Sequence, residues 1–137
     1  MRVTGLDGKA YSWKLIGRVP LGDDEVKRST YHLSARKLLT SLYPLDRLLE
    51  EVPLPGSWGL EADFFLPSLK LMVEVHGEQH YKFIPYFHQT YLGFIESKKR
   101  DESKKKWCEI NHINFAELPY TEDIDGWRER IRKATTG

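Results

Sequence analysis

Apolar and polar positions change period several times along this chain, and each change marks an element. Val3 and Leu6 lead into Asp7-Gly8, after which Tyr11, Trp13 and Leu15 alternate, so residues 1–16 predict a short hairpin. Gly17 through Asp24 follows as a loop. From Ser29, a side chain suited to an N-cap, Ala35, Leu38, Leu39 and Leu42 recur at helical spacing, and Tyr43-Pro44 ends that helix. Leu48 to Leu54 predicts a strand closed by Pro53, Pro55 and Gly56. Two further strands follow in LEADFFLPSLKLMVEVHGEQHY, residues 60–81, separated by Pro67 and Ser68. Lys82 to Gly93 is aromatic: Phe83, Tyr86, Phe87 and Tyr91 fit a helical stripe that Pro85 and Gly93 interrupt. Ile95 to Asn111 predicts a helix, Ile113 to Leu118 a strand, and Asp123 to Lys133 a last helix with Trp127 and Ile131 on one face. The order predicts an α/β or α+β fold, a central mixed β-sheet flanked by helices. The expected organisation is a single domain, 1–137, with hairpin 1–16 as an appendage.

Composition narrows the picture little. The 137 residues suffice for one core, and 40% hydrophobic with 30% charged residues describes an ordinary globular chain. No apolar run approaches the roughly 18 residues of a membrane span, and the first residues lack a signal peptide's apolar core, so an intracellular protein without membrane contacts is expected. The lone Cys108 agrees with a reducing compartment. A net charge of +1 announces no nucleic-acid partner, although the run SKKRDESKKKW, residues 97–107, concentrates cations.

The candidate chemistry lies in the two central strands. Strand alternation puts Leu71, Val73 and Val75 on one face and Met72, Glu74 and His76 on the other. Pairing across the Pro67-Ser68 turn then brings Asp63, Glu74 and His76 together. Such acids either line a solvated sheet face or share a divalent cation, which relieves their mutual repulsion. The density of titratable groups in VEVHGEQH, residues 73–80, favours the second possibility. Mg²⁺ or Mn²⁺ suits such oxygen donors and can polarise a phosphodiester and acidify an attacking water.

Asp63, ten intervening residues, Glu74 and His76, set in ADFFLP…LMVEVHGEQHY and followed by Lys99-Arg100-Asp101 and Lys105, resemble the active-site core of the PD-(D/E)XK nuclease superfamily. The likeness spans about residues 60–118 and is greatest to small members related to the very-short-patch-repair endonuclease and to phage or mobile-element homing endonucleases. It implies a restriction-endonuclease-like core and a metal-dependent deoxyribonuclease. Asp63 and Glu74 become the metal ligands, with the backbone carbonyl of Val75 as candidate third ligand. His76 occupies the place of the superfamily's usual lysine, and His76 or His80 handles the water's proton, with Gln79 beside them. The glutamate of the N-terminal helix in many relatives is replaced by Ala35-Arg36-Lys37, leaving Glu50 or Glu61 as substitutes. Lys98, Lys99, Arg100, Lys104, Lys105 and Lys106 become phosphate contacts on double-stranded or branched DNA, and the setting becomes the cytoplasm of a bacterium or a phage-infected host. Monomer and homodimer remain open.

Two rival expectations stand beside this one. A decayed site would leave a DNA-binding module of the same fold, with His76 marking the lost lysine. His76, His80, Cys108 and His112 offer zinc ligands, although HGEQH matches neither zinc-helix arrangement.

Overall fold

The computed structural model describes residues 1–16, 29–78, 84, 88 and 90–136. It is a mixed α+β fold built on a four-stranded sheet. After the hairpin β1 (Arg2–Thr4) and β2 (Ala10–Ser12) come helix α1 (Thr30–Leu42) and strands β3 (Leu49–Pro53), β4 (Glu61–Leu66) and β5 (Leu71–His76). Helix α2 (Tyr91–Ile110), strand β6 (Asn114–Pro119) and helix α3 (Ile124–Thr136) complete it. The sheet order is β3-β4-β5-β6; the first two pairings are antiparallel and β5–β6 is parallel. The predicted loop 17–24 and half of the aromatic stretch 82–93, with Phe83, Tyr86 and Phe87, fall outside the described residues.

Local chemistry explains the boundaries. The Ser29 hydroxyl accepts a hydrogen bond from the His32 N–H at 3.1 Å and so starts α1. The link from β4 to β5 is a 3₁₀ turn at Pro67–Leu69, closed by Lys70 in the left-handed conformation at φ 46°. Helix α2 begins before the predicted Ile95, because the Thr90 hydroxyl accepts from Gly93 N–H at 3.0 Å. Gly93 thus belongs to a capped first turn, where a glycine costs little.

Both faces of the sheet are covered, which removes the solvated-face reading: all six residues of β5 are buried. On one face Phe64, Leu66, Leu71, Val73 and Val75 pack against Leu38 and Leu39 of α1 and Trp127 and Ile131 of α3. On the other, Phe65 and Met72 meet Trp107 and Cys108 of α2. The hairpin belongs to this second core rather than hanging from it as an appendage. Val3 and Trp13 are buried there, and the Trp13 ring sits 4.6 Å from Phe65 and 5.1 Å from Trp107, centroid to centroid. Asn111, at the end of α2, accepts from Thr4 N–H at 2.7 Å and donates to Thr4 O at 2.9 Å.

Candidate active site

The β4–β5 ladder runs Leu66↔Leu71, Phe65↔Met72 and Phe64↔Val73, and stops there. The next positions are Asp63 and Glu74, and at this opening their side chains replace the missing backbone bonds. Glu74 Oε2 accepts the Asp63 N–H at 2.6 Å, and Asp63 Oδ2 accepts the Val75 N–H at 2.9 Å. The predicted pairing of Asp63 with Glu74 is therefore present. A strand residue points its N–H and C=O toward the same edge, so the Val75 carbonyl is aimed at this opening as well. The opposite direction of the next carbonyl agrees: His76 O accepts from Tyr120 N–H on the β6 side.

Glu74 is 2% exposed, whereas Asp63 is only partly buried. Burial, and then the neighbouring Asp63 charge, push the Glu74 carboxyl up to about 7, against the opposing pull of Lys104 and two hydrogen bonds. The Lys104 ammonium donates to Glu74 Oε1 at 2.7 Å. Burial works against that ammonium, but the Glu74 and Asp63 charges outweigh it and hold its pKa above the ordinary lysine value.

Lys104 is thus not one of a solvated row of phosphate contacts. It lies three residues before Trp107 and four before Cys108, which puts it on the buried stripe of α2. Lys99, Arg100, Lys105 and Lys106 are exposed, as a phosphate-contacting face requires, and Lys98 is half-buried with its ammonium 6.0 Å from the Phe94 ring centre.

His76 shares the Glu74 face but turns to β6, where its Nδ1 lies 2.9 Å from Glu117 Oε1. Burial disfavours the imidazolium, yet the bond to Glu117 and the charges of Asp101, Glu117 and Glu74 overcome this and raise its pKa above the ordinary value. Glu117 and the surrounding carboxylates thus favour the imidazolium at His76, whereas the sequence anticipates a neutral base there. His76, Asp101 and Glu117 line an open cleft of about 180 Å³ together with Lys98, Glu102 and Lys105. Gln79 and His80 lie outside the described residues.

Neither substitute glutamate joins the pair. Glu61 is exposed. Glu50, 1% exposed, turns to the α1 face, where His32 Nε2 lies 2.5 Å from its Oε1 and the Arg36 guanidinium donates to both oxygens at 2.9 and 3.1 Å. Of the zinc set, His80 lies outside the described residues, and among the described residues no three His, Cys, Asp or Glu side chains form a group that could hold a metal ion. Cys108 packs against Met72 with a sulfur–sulfur distance of 3.4 Å, and burial pushes its thiol up.

Sequence reasoning passed over Glu117, whose partner is set by the parallel β5–β6 register Glu74↔Glu117 and His76↔Pro119. Its strand alternation was visible; its neighbour was not. Among the described residues no helix is long and apolar enough to cross a membrane.

No family model and no solved structure matches the chain. It is 47% identical over 66 residues to "Uncharacterized protein 307L" of Invertebrate iridescent virus 6, covering 48% of this chain and 34% of that protein. It is 39% identical over 69 residues to "Uncharacterized protein 033L" of Invertebrate iridescent virus 3, covering 50% and 35%. It is also 34% identical over 74 residues to "Uncharacterized protein 094L" of Frog virus 3, covering 53% and 48%. The matched segment therefore spans between about a third and a half of these relatives' lengths.

Proposed function

We propose that this chain is a metal-dependent DNA endonuclease with a restriction-endonuclease-like core. The observation that carries the reading is the pair Asp63 and Glu74 at the open end of the β4–β5 ladder, each bonded to the other strand's backbone. Their donor set fits Mg²⁺ or Mn²⁺: two carboxylates and the Val75 carbonyl are hard oxygen donors directed at one opening, and burial beside a like charge makes Glu74 costly to ionise without a cation. Asp63, Glu74 and the Val75 carbonyl would hold the metal. When bound, it supplies charge for the phosphodiester and acidifies a water.

The remaining work falls to the chain's own side chains. Asp63 and Glu74 brace the fork by bonding across it, which fixes the two carboxylates relative to each other before substrate arrives. Before metal binds, Lys104 donates to Glu74 from the helix side and opposes the rise of its pKa. His76, bonded to Glu117, occupies the position where the family pattern carries lysine, and its surroundings favour the protonated ring. The exposed Lys99, Arg100, Lys105 and Lys106 on α2 receive DNA phosphates.

The test is incubation of the purified chain with supercoiled plasmid and with branched DNA, with and without Mg²⁺. Expected are Mg²⁺-dependent cleavage of at least one form and a loss of roughly 10³-fold or more in Asp63→Asn, the scale of losing an essential electrostatic group. No metal-dependent cleavage of either form refutes the reading.

One observation favours a second reading, a DNA-binding module whose site has decayed. Both Glu74 oxygens already accept hydrogen bonds within the chain, and the side chain is sealed from solvent. That module would bind DNA in a salt-sensitive manner without cleaving it, and Asp63→Asn would bind equally well.

A further inference from the structure

We infer that Lys104 is the exchangeable counter-ion of the carboxylate pair, a cation that Mg²⁺ displaces from Glu74 on binding. The inference rests on the reading of Asp63 and Glu74 as metal ligands.

Three contacts hold the pair, and they differ in what can leave. Glu74 Oε2 is bonded to the N–H of Asp63, and Asp63 Oδ2 to the N–H of Val75. Both donors are strand backbone, so neither can withdraw unless β4 or β5 moves. The third donor is the Lys104 ammonium, 2.7 Å from Glu74 Oε1. It ends a flexible four-carbon stem on α2 and can turn away with no change in the backbone. Oε1 is therefore the oxygen that an incoming cation can take.

The same contact makes occupation by both unfavourable. A divalent ion at Oε1 and an ammonium at hydrogen-bond distance from that oxygen would face each other in a largely buried site, where like charges are poorly screened. Lys104 also has somewhere to go. Asp101 lies three residues earlier on the same side of α2, and its negative charge already acts on Lys104.

The arrangement has a purpose in the metal-free protein. A buried carboxylate beside another carboxylate is expensive without a cation, and Lys104 supplies one from within the chain. The fork can then fold and stay assembled before metal arrives. The cost is weaker metal binding, because Mg²⁺ must displace a partner.

The test follows the lysine itself. In ¹⁵N-labelled full-length protein the Lys104 Nζ signal, assigned by its loss in Lys104→Arg, is observed at low temperature while Mg²⁺ is added, and Mg²⁺ binding is measured by calorimetry in the same buffer. Expected are a protected Lys104 ammonium without metal and a change in its signal with the calorimetric midpoint, both binding and change being absent in Asp63→Asn. At pH 9, where Glu74 is ionised, Lys104→Met is expected to bind Mg²⁺ at least tenfold more tightly than the parent, with Lys104→Gln as the second variant should the first not fold. An unchanged Lys104 signal while Mg²⁺ binds overturns the inference and leaves the metal-ligand reading standing, as does unaltered affinity in both neutral variants. Absence of Mg²⁺ binding to the parent overturns both.

Discussion

Two buried glutamates on opposite faces of the sheet meet different electrostatic surroundings. Burial alone would raise both. At Glu50 the His32 and Arg36 bonds outweigh burial and hold the carboxyl below its usual range. At Glu74 one ammonium faces both burial and the Asp63 charge, and the carboxyl rises to about 7. The first arrangement pins α1 to the sheet; the second leaves a demand for positive charge, which makes Glu74 and not Glu50 the candidate metal ligand. His76 offers a test at the same scale. Its raised folded pKa means that the native state binds the proton more tightly than the unfolded chain, so its contribution to stability is complete below about 6.5, the unfolded imidazole value, and is lost as pH rises through the higher folded value. Glu117→Gln removes the main partner. Urea denaturation is expected to show Glu117→Gln less stable than the parent by about 1 kcal/mol at pH 5.5, a charged hydrogen bond discounted for partial exposure, with the gap closing by pH 9. A gap independent of pH would mean that Glu117 acts on the fold by other means.

At the scale of elements, α2 has two tasks on one stripe. Trp107 and Cys108 seal the second core, and Lys104, a turn earlier, enters the carboxylate site. Packing of the lower half of the helix therefore fixes where the ammonium arrives. The hairpin supports that packing: Trp13 lies between Phe65 and Trp107, and its indole N–H donates to Pro53 O at 3.0 Å. Trp13→Ala is expected to cost roughly 3–5 kcal/mol, the range for removing a large buried aromatic, measured as a shift of the urea midpoint. A cost below about 1 kcal/mol, the scale of a surface change, would return the hairpin to the status of an appendage.

For the whole molecule, a net charge of +1 conceals an uneven distribution. Exposed Lys99, Arg100, Lys105 and Lys106 share one helix with the inward Lys104, so these cations and the ammonium that meets the carboxylate fork are held on a common rigid support. If Lys99 and Lys106 each neutralise one phosphate, the double variant Lys99→Gln, Lys106→Gln lowers the salt dependence of duplex binding by about 2 in log–log slope. Fluorescence anisotropy in Ca²⁺ from low to physiological salt measures it. A slope equal to the parent's would place the DNA contacts on another face, with the carboxylate site unaffected.

Periodicity was enough to lay out most of this protein. The Ser29 cap, the breaks at Pro44 and Pro67, the alternation in β4 and β5, and the apolar pair Trp127 and Ile131 are local signals, set by backbone geometry and side chains a few residues apart. The pairing of Asp63 with Glu74 was legible for the same reason, since a short turn fixes the register of an antiparallel pair. Even the inward direction of Lys104 could have been read from its spacing to Trp107 and Cys108. What that ammonium meets there could not be, because 30 residues of chain separate it from Glu74. The same holds for His76 with Glu117 and for Trp13 with Trp107. These contacts depend on the crossover that lays α2 over the sheet and on the parallel register of β6. Only tertiary structure decided which charge neutralises which, because electrostatics acts through distance in space and sequence spacing specifies that distance only within one element or turn.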